Sequence, residues 1–171
     1  MCIRDSPPVI HPVDIYAAPA AARVVRKDYD YAFEEEKYRG APDIRLHEID
    51  VARPLEIAGE RIVPVSGHHS ERFEVTGYRI GRMAYLTDFK TIADAEVGKL
   101  IGVELLVVNA LRFRPHPSHF NVGEALALIA RVAPRRALIT HVSHEIGRHA
   151  ATTALLPRGV ELAYDGLEII I

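Results

Sequence analysis

The sequence predicts a mixed α/β fold, in which a sheet packs against helices. Two patterns support this prediction. Short alternating strands joined by glycine turns dominate the first half, and apolar strands alternate with amphipathic helices in the second. The chain has 171 residues and a formal net charge of −2, which fits one domain with a core and creates no strong field for nucleic acid or membranes.

The amino-terminal region has two parts. Residues 1–6 match no pattern that follows, so we interpret them as a non-native leader. Residues 7–171 are expected to form a single domain. Residues 13–16 alternate as a strand, and a helix is expected over residues 19–27 because proline is favoured at a first helical position.

The middle of the chain predicts a meandering antiparallel sheet. Strands are predicted at residues 44–49, 55–57, 61–65, 77–80 and 83–86. Glycine turns join the second strand to the third and the fourth to the fifth, as in β-hairpins. A short amphipathic helix is expected over residues 91–100.

The carboxyl-terminal part alternates strands and helices. Strands are predicted at residues 104–109 and 137–140, and helices at residues 121–132 and 150–156. Asn121 followed three residues later by Glu124 is typical of a capping box. Residues 160–163 and 167–171 flank an Asp-Gly turn and are expected to pair as strands.

Composition excludes several classes of protein. The single cysteine, Cys2, excludes a disulfide framework. No apolar run approaches the ~20 residues of a transmembrane helix, and the first residues lack the basic and apolar segments of a secretory signal. We therefore expect a cytoplasmic protein without a membrane partner, and we keep a homodimer as an open expectation.

Imidazole and carboxylate groups stand at the ends of three predicted strands. They belong to His68 and His69, to Asp88 and to His141. Strand ends border the crevice where α/β sheets bind ligands, and these donors suit zinc, manganese or iron. Only one of His68 and His69 is expected to face the site, because neighbouring residues on a strand point to opposite sides. Taken alone, Asp88 is more typical of a helix cap, so the prediction depends on the recurrence of the pattern.

Residues 62–171 carry a series of motifs that resembles a known family. The motifs are His69-Ser70, Gly77-Tyr-Arg-Ile80, Ala84-Tyr-Leu-Thr-Asp88, Leu106-Val-Val-Asn-Ala-Leu-Arg112, His116-Pro-Ser-His119, Leu138-Ile-Thr-His-Val-Ser-His144 and Ala163-Tyr-Asp-Gly-Leu-Glu168. The series is similar to the metallo-β-lactamase fold hydrolases, in the branch of the cyclic phosphodiesterase of carbon–phosphorus lyase operons and ribonuclease Z. This resemblance implies an αββα sandwich.

The resemblance also implies roles for single residues. His69, Asp88 and His141 match metal ligands, with Asp88 as the bridging carboxylate. His68 stays an alternative to His69, because the loop before Gly77 is slightly longer than in the family. His119 matches a histidine that is not a ligand and that acts as general acid or stabilises the phosphate.

The substrate and cofactors follow from the same resemblance. It implies two divalent ions, Zn²⁺ or Mn²⁺, in the full-length parent, and a metal-activated water that attacks a small-molecule or nucleotide phosphodiester. Arg112 and His116 are the candidate substrate-binding residues, with a solvated loop as an equal alternative for both.

One motif of the family, H-x-H-x-D-H, is absent from the 171 residues. We therefore expect a carboxyl-terminal portion of a longer enzyme, with a sandwich that is incomplete at its amino terminus and a chain that is poorly soluble alone. Two other functions stay open. One is a degenerate, non-catalytic binding module, and the other is a thioester or acyl hydrolase on the same scaffold.

Overall fold

A computed structural model describes residues 12–34, 36–38 and 40–171. Cys2 and the leader expected at residues 1–6 lie outside these ranges, as does the start of the domain expected over residues 7–171. The chain divides into two compact units, with the boundary between Asp50 and Val51. None of the helices in the described ranges has the length and apolar character that a membrane crossing requires. The mixed α/β class is confirmed.

The first unit contains a β-α-β element. Strand β1 (Val13–Ala17), helix α1 (Pro19–Asp28) and strand β2 (Ile44–Glu48) follow one another, and the two strands pair in parallel. Pro19 begins α1, where its missing N–H group has no partner to lose. The strand and helix predictions for this unit are confirmed.

The second unit contains a seven-stranded sheet whose strands lie in chain order. They are β3 (Leu55–Ile57), β4 (Glu60–Ser70), β5 (Phe73–Ile80), β6 (Met83–Leu86), β7 (Leu105–Asn109), β8 (Arg136–Thr140) and β9 (Val160–Leu162). Strands β3 to β6 form the predicted antiparallel meander, and β6 to β9 are parallel. Because β6, β7 and β8 run in the same direction, the residues that follow them meet at one edge of the sheet.

Three short helices accompany this sheet: α2 (Asp94–Gly98), α3 (Val122–Val132) and α4 (His149–Thr153). Helix α3 begins with the predicted capping box, in which Asn121 and Glu124 each accept the other's backbone N–H at 2.9 Å. Helix α2 begins later than predicted, because Thr91 pairs with the backbone of His68 instead.

The predicted pairing of residues 160–163 with residues 167–171 is wrong. Strand β9 is parallel to β8, and residues 167–171 form no strand. Leu167 and Ile169 pack instead against an apolar cluster on one face of the sheet. Burial of these side chains outweighs the local signal of the Asp-Gly turn.

The main core lies on the opposite face of the sheet, because alternate residues of β7 belong to the two clusters. Phe89 is fully buried in this core. Its ring lies directly over Gly67, where an added Cβ would stand 2.2 Å from Phe89 Cε1 and 2.8 Å from the Thr91 carbonyl oxygen. A glycine at position 67 therefore allows the segment after β6 to pack closely on the sheet.

Replacement of Gly67 by alanine tests this packing. We expect Gly67→Ala to lower the free energy of unfolding by about 1–3 kcal/mol, because the methyl group overpacks the core. Urea denaturation measures the change. Gly98→Ala is the matched control, since a Cβ there meets nothing within 4 Å, and it should be neutral or stabilise by up to about 1 kcal/mol. Equal stability of the two variants would contradict the packing argument.

Candidate metal and catalytic site

Asp88 and His141 follow the parallel strands β6 and β8 at the same edge of the sheet. Both have left-handed backbones, with φ of 63° and 56°. Aspartate and histidine are among the residue types that enter this region most readily, and such conformations persist where the surrounding structure holds them. Asp88 does not cap α2, whose N-cap is Ala93 without a side-chain hydrogen bond.

Three side-chain atoms lie close together at this edge. His119 Nε2 is 3.2 Å from Asp88 Oδ1 and 3.1 Å from His141 Nε2. His141 Nε2 is 3.4 Å from Asp88 Oδ1. Ligands about 2.0–2.1 Å from a tetrahedral ion lie roughly 3.3 Å from one another. The 3.4 Å between Asp88 Oδ1 and His141 Nε2 therefore fits two ligands of one divalent ion, and His119 Nε2 lies next to both atoms.

His69 also lies at this group, and a hydrogen bond to the backbone of Asp88 fixes the tautomer of its ring. Its Nδ1 lies 3.0 Å from the carbonyl oxygen of Asp88, which only accepts, so Nδ1–H donates and Nε2 keeps a lone pair. Metal-bound histidines commonly carry such an outer hydrogen bond. One ligand atom from each of His69, Asp88 and His119 lies within 4.8 Å of the others.

His68 occupies a different position from His69. It is exposed, and its backbone N–H and carbonyl pair with Thr91. The pairing of β4 with β5 shifts between His68 and Ser70. The structure thus brings His69 into the cluster and leaves His68 outside it.

His116 and Ser118 contact His119 on the side away from Asp88. His116 Nδ1 and Ser118 Oγ both lie 3.2 Å from His119 Nδ1. The His116 and His119 rings are 5.0 Å apart between centroids. The loop between β7 and α3 therefore places a second imidazole and a hydroxyl beside the candidate metal ligands.

Arg112 is held by residues of this unit. Its guanidinium donates to the Glu145 carboxylate and, over 3.1 Å, to the carbonyl oxygen of Pro115. Arg114 also pairs with Glu145, at 2.7 Å. In this structure Arg112 therefore links the loop between β7 and α3 to Glu145. The sequence offers a weak signal for Glu145, because it lies only four residues beyond His141 in the strand-end loop.

Sequence reasoning also missed Asn109. It is the last residue of β7, between the strands that precede Asp88 and His141, and it is fully buried. Its side chain accepts a hydrogen bond from the Phe89 N–H at 2.9 Å and donates to the Phe89 carbonyl at 3.0 Å. A buried amide after an apolar run is the one signal in the sequence that indicates it.

The site lowers the pKa of two imidazoles. Burial lowers the pKa of His119, the hydrogen bond that His119 donates to Asp88 opposes this, and the charges of His69 and His141 lower it further. Burial also lowers the pKa of His116, and so does the positive charge of Arg112. Lowered pKa values favour the neutral imidazole of both residues at neutral pH.

The sequence profile described as Beta-lactamase superfamily domain matches residues 2–142. The chain belongs to this family. This confirms the resemblance to the metallo-β-lactamase fold, and divalent metal binding is a property that this fold implies. The confirmed family places the group around Asp88 in the context of a metal-binding fold.

Two proteins more than 30% identical match most of the chain. The Octanoyltransferase of Porphyromonas gingivalis is 34% identical over 158 residues, which are 92% of this chain and 32% of that protein. A crystal structure described as a new diphosphatase from the PhnP family is 33% identical, with a TM-score of 0.82, and the match covers 92% of this chain and 57% of that one. The chain thus spans about a third of the first and little more than half of the second.

Two more distant structures share the fold. The metallo-β-lactamase fold protein YhfI of Bacillus subtilis is 17% identical with a TM-score of 0.67, over 92% of this chain and 64% of that one. Human tRNase Z, short form, is 14% identical with a TM-score of 0.65, over 91% of this chain and 66% of that one. At these identities the likeness concerns the fold alone.

The metal-free chain should lose stability when the pH falls from about 7.5 to about 5.5. The folded pKa of His119 lies below its ordinary value of 6.5. The unfolded chain therefore binds the proton first, and stability decreases as the pH falls through this window. Thermal unfolding at a series of pH values measures the decrease. His119→Gln should flatten it, whereas His144→Gln, at an exposed position, should not. An unchanged slope in His119→Gln would refute this origin.

Proposed function

We propose that the protein is a metal-dependent hydrolase of phosphate esters, with phosphodiesters as its substrate class. The observation that carries the proposal is the meeting of two candidate metal ligands, Asp88 and His141, with the imidazole of His119, whose side-chain atoms lie 3.1–3.4 Å apart. Asp88 Oδ1 and His141 Nε2 can both offer lone pairs to a divalent ion, and His119 lies beside them where it can transfer a proton.

His69, Asp88 and His141 are the residues that would hold the metal, either Zn²⁺ or Mn²⁺. Thr87 Oγ1 donates to Asp88 Oδ2 at 3.2 Å, which leaves Oδ1 directed at the two histidines. A bound ion supplies an activated water and positive charge at the attacked centre. Whether one ion or two are bound depends on ligands beyond these three.

His119 is the proposed proton donor to the leaving oxygen. Its Nε2 lies at the candidate metal ligands, and its Nδ1 contacts Ser118 Oγ at 3.2 Å. An imidazole with a lowered pKa is a stronger acid than an ordinary histidine, and it is protonated in a smaller fraction of molecules at neutral pH. Ser118 and His116 orient the ring, since both contact Nδ1.

Arg112 and His116 are the proposed contacts to the phosphate oxygens. His116 Nδ1 faces His119 and Ser118 at 3.2–3.3 Å. Arg112 is already bound to Glu145, so a phosphate oxygen would have to share or replace that carboxylate. The site therefore suits a diester, because the Glu145 carboxylate repels its single negative charge less than the two charges of a monoester.

The comparisons support phosphoryl chemistry. The relative described as a diphosphatase is 33% identical, and its name indicates action on a diphosphate. The chain spans 57% of that protein, so the activity of the whole natural protein is part of the proposal.

An acyl-transfer or thioester-hydrolysis function is the second candidate. The name of the Octanoyltransferase from Porphyromonas gingivalis favours it, although this chain corresponds to 32% of that protein. A panel of bis-p-nitrophenyl phosphate, a cyclic nucleotide, pyrophosphate and an acyl thioester, assayed with the whole natural protein, separates the two functions. Turnover of the thioester alone would refute the phosphoryl proposal. Metal binding without any turnover would indicate a non-catalytic module.

Loss of a metal ligand should be visible without any substrate. We expect His69→Ala and His141→Ala to weaken Zn²⁺ binding by more than the roughly 10–100-fold that follows loss of an outer hydrogen bond. Titration calorimetry measures the affinity. His68→Ala is the matched control, because His68 is the exposed neighbour of His69, and it should bind like the wild type. Equal affinity in all three variants would refute the ligand assignment.

His119 should behave differently from the ligands. We expect His119→Gln to retain metal within a few-fold and to lower kcat by about 10²–10⁴, the usual contribution of a positioned general acid. Metal content and steady-state kinetics of the whole protein check both parts. A loss of metal as large as in His141→Ala would show instead that His119 is a ligand.

A further inference from the structure

Asn109 is a buried polar residue that the proposed chemistry does not use. It is 0% exposed, and it lies at the end of β7 in the middle of the three parallel strands that lead to the site. Asn109 pairs across the sheet with Thr140, which His141 follows, and the pairing with β6 ends at Leu86, two residues before Asp88. A buried amide is costly unless both of its polar atoms are paired, so its partners show what it does.

Both polar atoms of the Asn109 amide bind the backbone of one residue. Oδ1 accepts from the Phe89 N–H at 2.9 Å, and Nδ2 donates to the Phe89 carbonyl at 3.0 Å. The ladder between β6 and β7 ends at the pair Leu86 and Val108. The side chain of Asn109 therefore continues the backbone pairing beyond the point where β6 leaves the sheet.

The residue that Asn109 holds is the neighbour of Asp88. Asp88 has a left-handed backbone, with φ of 63°, and such a conformation needs support from its surroundings. The Phe89 ring, buried against Gly67, supports it from the side-chain direction. The Asn109 amide holds the Phe89 backbone through two hydrogen bonds. Both the ring and the backbone of Phe89 are therefore fixed, and they restrict the orientation of the neighbouring Asp88.

The hydrogen bonds at Phe89 also involve the loop that carries His119. The Phe89 carbonyl also accepts from the N–H of Phe120, at 2.8 Å, and Phe120 directly follows His119. The Phe120 carbonyl accepts from the N–H of Leu111 at 2.9 Å. The loops that carry Asp88 and His119 thus share one carbonyl group, and Asn109 is bound to that group.

We propose that Asn109 is a positioning residue, which holds the Asp88 carboxylate in the orientation that a divalent ion requires and sets the loop of His119 beside it. The proposal rests on the metal role given above for Asp88. Asn109 acts through Phe89 and touches neither a ligand atom nor a substrate. A merely structural Asn109 would stabilise the fold and leave the geometry of the metal unchanged.

Co²⁺ binding to the whole natural protein separates these two roles, because the visible absorption of Co²⁺ depends on its ligand geometry. Asn109→Leu removes both hydrogen bonds at similar size, and Asn109→Thr keeps a hydroxyl that can pair with Phe89 if the leucine variant does not fold. Thr152→Val is the matched control. Thr152 is 3% exposed and donates to the Ile146 carbonyl at 2.8 Å, so it is also a buried side chain paired with backbone.

The expected result is a loss of Co²⁺ affinity of about 10–100-fold in Asn109→Leu, as for other outer partners of metal ligands. The Co²⁺ spectrum should shift, and Asn109→Thr should show a smaller loss with the spectrum partly restored. Thr152→Val should melt at a lower temperature and bind Co²⁺ within about twofold of the wild type.

Three outcomes would overturn the proposal. Wild-type affinity and spectrum in both Asn109 variants would show a structural role only, and would leave the proposed function intact. An equal loss in Thr152→Val would show that general destabilisation causes the effect. Absence of Co²⁺ and Zn²⁺ binding by the wild type would overturn the metal role of Asp88 together with this inference.

Discussion

Two hydrogen bonds between the Asn109 amide and the Phe89 backbone hold the functional edge of the second unit together. The segment after β6 leaves the sheet there, and without this amide the buried N–H of Phe89 would lose its partner. An unsatisfied buried group costs about 1–3 kcal/mol, so the contact stabilises the fold at the same point where it orients Asp88. Stability and site geometry are therefore coupled through one side chain.

The arginine and lysine side chains around the site are bound to carboxylates. Arg112 and Arg114 share the Glu145 carboxylate, and Lys90 pairs with Glu124 at 2.7 Å. Glu124 also belongs to the capping box that begins α3. Each of these three cations is thus bound to a carboxylate of the unit, and the two arginines share one. The pairing of Arg112 with Glu145 lessens the positive charge beside the two imidazoles, whose pKa values burial lowers.

The sequence pattern predicted the strands well, because β7 and β8 are short apolar runs that the sheet buries, and the glycine turns between the antiparallel strands are local signals. The prediction failed for residues 167–171, because Leu167 and Ile169 pack against strand residues that lie far from them in the sequence. The same distinction applies to the site. Asp88 and His141 stood out at strand ends, whereas Glu145 and Asn109 gain their roles from partners 33 and 20 residues away.

The sequence by itself determined the order of the elements, the capping box of α3, the family and the histidine and aspartate types that metals prefer. These properties depend on residue type and on neighbours within a few positions. Only the tertiary structure decided that His69 rather than His68 reaches the cluster, since a shift in the β4–β5 pairing sets which imidazole faces Asp88. It also decided that Asn109 binds Phe89, because that contact forms only when β6 and β7 lie side by side.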